Sequence, residues 1–81
     1  MLNPQLMERI TIDPAVMVGK PVIRGTRLTV EYILGLMANG ATTEEILDEY
    51  SGLVADDISA CFFFAANSLS HSDYFPVLER A

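Results

Sequence analysis

The chain has 81 residues, of which 51% are hydrophobic and 20% charged, so it forms one small domain and lacks the composition of a disordered segment. A domain this small has little interior, and its apolar content predicts hydrophobic surface that a partner or a second copy covers. The net charge of −6 is uneven, because residues 1–27 carry +2 and residues 28–81 carry −8. The acidic body disfavours nucleic acid, while the basic first third still allows contact with phosphate.

A single cysteine, Cys61, excludes an internal disulfide and a cysteine metal cluster. The longest apolar run, residues 60–66, is shorter than the roughly 20 residues that a membrane span needs. The first residues also lack the pattern of a signal peptide. We therefore expect a cytoplasmic protein with no membrane segment.

The first third of the chain is predicted to be β-like, after a short helical turn at residues 4–8. Residues 9–12 alternate and include β-branched side chains, a pattern typical of a short strand. In such a strand Ile10 and Ile12 share one face.

A turn and an extended segment are predicted next. Asp13 is expected to cap a single helical turn that begins at Pro14 and ends at Gly19. Residues 21–28 are predicted to be extended and hairpin-like, with Gly25 at positive φ.

Two amphipathic helices follow. Apolar residues recur at helical spacing directly after Thr29, the expected N-cap, and Gly40 is expected to end this helix. Thr42 and Glu45 have the spacing of a capping box, which predicts a second helix over residues 43–50.

A third helix is predicted over residues 55–68. One face about 100° wide is assigned to the core. Its members are Val54, Ile58, Cys61, Phe62, Ala65 and Leu69. Phe63 then points away from the core, and Phe64 lies on the flank. Either Phe63 is simply exposed and Phe64 reaches the edge of the interior, or Phe63 packs on another chain, which is the alternative that we favour.

The helical pattern weakens after Ser68, and residues 67–81 are interpreted as a C-terminal tail. Four apolar side chains in the tail favour a docking segment over inert exposure. Together with Phe63 and Phe64, the candidate partner or dimer interface therefore includes Tyr74, Phe75, Val77 and Leu78.

Residues suited to catalysis are few. His71 is the only histidine and lies in the tail, whereas Cys61 lies on the predicted core face. The adjacent acids Asp56 and Asp57 point to different sides of a helix and do not converge on a metal. We predict no catalytic residue, no cofactor and no metal site, and hence a protein that is not an enzyme.

The basic residues Arg9, Lys20, Arg24 and Arg27 are the candidate nucleic-acid contacts. Arg24 and Arg27 have two other interpretations, in which they pair with the acidic helices of the same chain or with carboxylates of a partner protein. The third helix contains no Arg or Lys before Arg80, so it is a poor reader of the DNA major groove.

Several segments between residues 9 and 66 form a recognisable set. They are residues 9–14, residues 19–30, Gly40, residues 44–47, Tyr50, Leu53 and residues 57–58. The most specific is Gly-Lys-Pro-Val-Ile-Arg-Gly-Thr-Arg at residues 19–27. Together they resemble the domain of unknown function 433, a small prokaryotic family.

The resemblance implies a mainly α fold, in which a trihelical homeodomain-like or winged-helix-like bundle follows a short N-terminal β element. The whole chain, residues 1–81, is then a single domain with a family-like core at residues 9–66, and homodimers are expected. The helices at residues 43–50 and 55–68 become a helix-turn-helix. Val54 stands where the family usually has a Thr or Ser cap, and Phe63 replaces a small residue.

The resemblance also implies a function like that of VapB-type antitoxins. The chain is expected to bind and neutralise a cognate toxin of ribonuclease type, with autoregulatory binding to operator DNA as a further expectation. In the expected mechanism, Phe63 and residues 70–81 cover the toxin while carboxylates occupy its basic or metal-bearing site. The alternatives are a stand-alone DNA-binding regulator and a structural oligomerisation module.

Overall fold

The computed structural model describes residues 4–70, and this part of the chain is mainly helical. A short helix and a two-stranded sheet come first, and three longer helices follow. Their bounds are α1 Pro4–Met7, β1 Ile10–Thr11, β2 Val22–Ile23, α2 Val30–Ala38, α3 Thr43–Glu49 and α4 Ala55–Ser70. The predicted mainly α fold class with a short N-terminal β element is confirmed. Over residues 4–70, no helix has both the length and the apolar character to cross a membrane.

The sheet is antiparallel, with Ile10 opposite Ile23 and Thr11 opposite Val22. Ile10, Val22 and Ile23 are all buried, so the sheet contributes three side chains to the interior. The β element is therefore part of the domain's core rather than an appended arm.

Ile12 does not share the buried face of Ile10, and that prediction is wrong. The strand ends at Thr11, and Ile12 is 56% exposed. Directly afterwards the Asp13 carboxylate accepts a hydrogen bond from the Ala15 amide at 2.9 Å, which turns the chain away from the sheet.

A tight turn reverses the chain after β2, as predicted for residues 21–28. The Thr26 amide donates to the Ile23 carbonyl at 3.0 Å, and Gly25 takes a φ of +81°. The Thr26 hydroxyl also donates to the Ile23 carbonyl at 2.7 Å and accepts from the Leu28 amide at 3.0 Å. Gly25 and Thr26 thus shape the turn, which explains two residues of the most specific sequence segment and places Arg27 on the surface.

The predicted signals for α2 and α3 are confirmed. The Thr29 hydroxyl accepts from the Tyr32 amide at 2.9 Å, and Gly40 follows α2 with a φ of +104°. Thr42 and Glu45 form the reciprocal capping box, with bonds of 3.1 and 2.8 Å.

Helix α4 is the central element, because α1, β1, α2 and α3 all pack against it. The core that they enclose includes Ile10, Ile23, Val30, Ile33, Ile46, Leu53, Ile58, Ala60 and Cys61. At 100° per residue, the buried and half-buried positions of α4 span roughly 220° of its circumference, from Phe63 through Asp57 to Ile58. A helix surrounded in this way has a buried surface much wider than one amphipathic face.

The orientation of α4 differs from the prediction for this reason. Phe63, predicted to be exposed, is only 9% exposed, whereas the predicted core residues Val54, Phe62 and Leu69 are 50, 51 and 73% exposed. Phe64 is half-buried against the core, as one interpretation had it. The periodicity argument assumed a single buried face. Packing by α1 and β1 on a second side moves the buried arc toward Phe63.

The loop between the strands contains a strained turn, Met17–Gly19, in place of the predicted helical turn. Met17 and Val18 have φ values of 49° and 58°, and Gly19 has a φ of 80°. A left-handed conformation costs an L-residue roughly 1–2 kcal/mol, and a β-branched side chain adopts it rarely. Val18 is 91% exposed, so burial of its side chain does not compensate for the strain.

Replacing Val18 by Asn should therefore stabilise the domain. Asn tolerates the left-handed region, and we expect Val18→Asn to raise the free energy of unfolding by about 1 kcal/mol, measured by urea denaturation. Ile12→Asn is the matched control, because Ile12 is also exposed and β-branched but has an ordinary negative φ. Equal effects of the two substitutions would show that the turn is not strained.

Candidate functional site

Two of the four candidate basic residues are held by acidic helices. The Arg9 guanidinium lies 3.1 Å from Asp57 and 3.6 Å from Asp56, at the first turn of α4. The Lys20 ammonium lies 3.0 Å from Glu31, in the first turn of α2. The basic N-terminal third thus pairs with the acidic helices, as one interpretation proposed, but through Arg9 and Lys20 rather than Arg24 and Arg27.

The two remaining arginines differ from each other. The Arg24 Nε donates to the Glu8 carbonyl at 2.6 Å, so its side chain is tied to the main chain. Arg27 is exposed, and over residues 4–70 its guanidinium has neither a hydrogen bond nor an ion pair. Among the basic side chains of this region, Arg27 alone is ready to bind an external anion without losing an internal partner.

Arg27 borders a shallow apolar groove, which we call the Tyr32 groove. The groove lies between the strained Met17–Gly19 turn and the start of α2. Its walls are Met17, Val18, Lys20, Arg27, Leu28, Thr29, Glu31 and Tyr32. Tyr32 is 45% exposed, and the Lys20–Glu31 ion pair closes part of the rim. The groove therefore combines an apolar floor with one unpaired cation.

A hydrogen bond fixes the Tyr32 side chain. Its hydroxyl lies 2.7 Å from that of Tyr50, at the end of α3, and the two rings meet edge to face at 82° with centroids 6.3 Å apart. The bond to Tyr32 and partial burial raise the pKa of Tyr50 above its usual value of 10.0, so the pair stays neutral at physiological pH. The groove thus has a fixed aromatic wall.

A second exposed apolar surface runs along α4. Ala55, Ser59, Phe62, Ala66 and Leu69 follow one another at spacings of four and three residues, and all five are exposed. We call this set the α4 stripe. From Ile58 to Ser70 the helix contains no charged residue, so the stripe is neutral as well as apolar.

Comparison with known proteins identifies the family. The family model of DUF433, a protein of unknown function, matches residues 10–65. The chain belongs to the DUF433 family. The matched region begins at β1 and ends within α4, and it contains the whole Tyr32 groove.

Two similar proteins place this DUF433 chain among its relatives. The crystal structure of a DUF433 member from Anabaena variabilis superposes with a TM-score of 0.74 at 33% identity, and the match covers 83% of this chain and 66% of that one. An uncharacterized protein from Archaeoglobus fulgidus is 64% identical over 25 residues, which are 31% of this chain and 69% of that protein. Neither description names an activity.

The predicted interface residues of this DUF433 chain have different fates. Phe63 is buried and is not available as a surface contact, and Phe64 packs against the core. The other four, Tyr74, Phe75, Val77 and Leu78, lie outside the described residues, as does His71. The prediction missed Phe62, although its i, i+4 and i+7 relation to Ala66 and Leu69 is visible in the sequence.

The sequence also contained a signal for Asp57 that the prediction passed over. Asp57 is buried, and its second carboxylate oxygen accepts a hydrogen bond from the Val54 amide at 2.9 Å. Position 57 lies three residues after the N-cap Val54, where the acid of a capping box stands. Asp57 therefore caps the start of α4 even though Val54 has no side-chain acceptor.

Cys61 is fully buried at the centre of the core. Burial, with a smaller contribution from the Asp57 charge, raises the pKa of its thiol to about 11. Over residues 4–70, no three His, Cys, Asp or Glu side chains converge to hold a metal ion. These observations describe a packing residue rather than a nucleophile.

The thiol should therefore be unreactive in the folded protein. At pH 8 a pKa of about 11 leaves about 0.1% thiolate. We expect Ellman's reagent to modify native Cys61 at least about 100-fold more slowly than the same chain in guanidinium. Because folding raises this pKa from 9.0, stability should also fall as the pH rises above about 9. Equal modification rates in both solvents would contradict the buried position.

Proposed function

We propose that this DUF433 protein is a non-enzymatic binding module of the antitoxin type, which binds and neutralises a toxin of ribonuclease type. The observation that carries the proposal is the Tyr32 groove beside the unpaired Arg27. An apolar groove bordered by one free cation suits a protein segment that presents an apolar side chain next to a carboxylate.

The apolar part of the groove supplies non-specific affinity. Burying apolar surface contributes about 25 cal/mol per Å², and Met17, Val18 and Tyr32 are all exposed in the free chain. The Tyr32 hydroxyl bond and the turn at Met17–Gly19 hold these side chains in place before a partner arrives. Little ordering entropy is then lost on binding.

Arg27 supplies the electrostatic part of recognition. A guanidinium binds a carboxylate through two parallel hydrogen bonds, and Arg27 has no internal partner among the described residues to give up. A ribonuclease site that holds a divalent metal presents carboxylates, because oxygen ligands are those that Mg²⁺ prefers. We therefore assign Arg27 to contact with an acidic toxin surface. This assignment replaces the expected mechanism based on Phe63, which is buried.

A regulator that binds DNA is the weaker candidate. Between Leu28 and Ser70 the chain has no Lys or Arg, so neither α3 nor α4 carries the basic side chains that commonly read bases in the major groove. Asp56 and Asp57 at the start of α4 repel phosphate, and their charge is balanced by Arg9 alone. Only Arg24 and Arg27 are free of an ion pair within residues 4–70.

Co-expression with the product of the neighbouring open reading frame tests the proposal. We expect the two proteins to co-purify, and Arg27→Glu to weaken their association at least about tenfold by calorimetry, because it places a carboxylate against an acidic surface. Arg24→Glu is the matched control. It makes the same change of charge three residues away and should alter the affinity much less.

Two results would contradict the proposal. One is the absence of any complex with the neighbouring product. The other is equal weakening by Arg24→Glu and Arg27→Glu, which indicates general electrostatics. Binding of duplex DNA with a log-affinity against log-salt slope of about 2 per protomer would instead support the regulator, since two free arginines release about two counterions.

A further inference from the structure

The α4 stripe has the spacing of a helix–helix seam. Its positions follow the pattern i, i+4, i+7, i+11 and i+14, which is the heptad spacing that keeps side chains facing a partner helix. The seam extends over the whole helix, which is about 24 Å long at 1.5 Å per residue. No element within residues 4–70 covers it, since all five positions are exposed.

The stripe alternates large and small side chains in a way that fits a second copy of itself. Phe62 lies at the centre of the helix and Leu69 near its end, while Ala55, Ser59 and Ala66 are small. If two copies cross antiparallel about Phe62, each Leu69 lies opposite the partner's Ala55, and each Ala66 lies opposite the partner's Ser59. Large side chains then meet small ones, and the helices can approach closely.

Charge also favours a second copy over an acidic or basic partner. A chain of net charge −6 repels its own copies, and α3 presents four carboxylates close together at residues 44–49. The last thirteen residues of α4 carry no charge, so two copies can meet there without placing like charges together. An antiparallel arrangement also keeps Asp56 and Asp57 of each copy away from those of its partner.

We propose that two copies of this chain associate through the α4 stripe, with their α4 helices antiparallel across a two-fold axis near Phe62. This inference is independent of the proposed toxin binding, because the Tyr32 groove contains no residue of the stripe. One helix face is smaller than the roughly 800 Å² per partner of a standard interface, so the dissociation constant is expected to be about micromolar.

Sedimentation velocity of the full chain from about 1 to 500 µM tests the association. We expect a monomer–dimer equilibrium, and we expect Phe62→Asp to shift it to monomer over this range. Leu69→Asp, at a position that is 73% exposed, should do the same and guards against a folding defect in the first variant. Ile12→Asp is the control, because it places the same charge at a site of similar exposure outside the stripe.

Mixed disulfides test the orientation. In the antiparallel arrangement Ser59→Cys and Ala66→Cys lie opposite each other, so an oxidised mixture should form the mixed dimer at least about tenfold more than either variant alone forms its own dimer. Preferential self-linking of Ala66→Cys would overturn the antiparallel arrangement, because it requires parallel helices.

Three results of the sedimentation experiment would overturn the proposal. They are a wild-type monomer at every concentration, a dimer that persists in both aspartate variants, and a dimer that Ile12→Asp disrupts equally. A monomeric wild type that Phe62→Asp destabilises would show instead that a segment of the same chain covers the stripe.

Discussion

The contact between Arg9 and Asp57 is the interaction on which the rest of the domain depends. Asp57 is buried, and it accepts one hydrogen bond from Arg9 at 3.1 Å and one from the Val54 amide at 2.9 Å. The Arg9 carbonyl in turn accepts from the Arg24 amide at 2.7 Å. One carboxylate and one arginine thus join the start of α4 to the β element. A buried carboxylate without these partners is costly, so the arrangement specifies how the two parts meet.

This constraint determines which surfaces remain free. Arg9 and Lys20 are occupied with internal carboxylates, and the basic first third therefore offers much less positive surface than its sequence indicates. What remains is Arg27 beside the Tyr32 groove on one surface and the neutral α4 stripe on another. The two proposals use these surfaces separately. If both hold, a dimer presents two grooves, and its avidity for a dimeric partner exceeds that of a single site.

Local chemistry made much of the fold predictable. The Thr29 cap, the box formed by Thr42 and Glu45, and the positive φ of Gly25 and Gly40 each depend on residues close in sequence. Such signals act within one or two turns of chain, so one sequence is enough to recognise them. The three main helices were found for this reason.

Features set by tertiary packing were not predictable in the same way. The exchange of roles between Phe62 and Phe63 arises because α1 and β1 cover a second side of α4, and periodicity within α4 contains no record of those neighbours. The isolation of Arg27 depends on which arginines find partners, which spacing alone does not reveal. The candidate groove was therefore missed as a unit, although Lys20 and Arg27 were both selected.

The central claim is that the Arg9–Asp57 contact fastens the β element to the bundle, and a double-mutant cycle measures it most directly. Arg9→Met, Asp57→Asn and the double variant would be unfolded in urea. The account predicts a coupling free energy of at least about 1 kcal/mol, and a parallel cycle with the exposed Asp56→Asn should give close to zero. A coupling near zero for Arg9 and Asp57, or equal values in the two cycles, would contradict it.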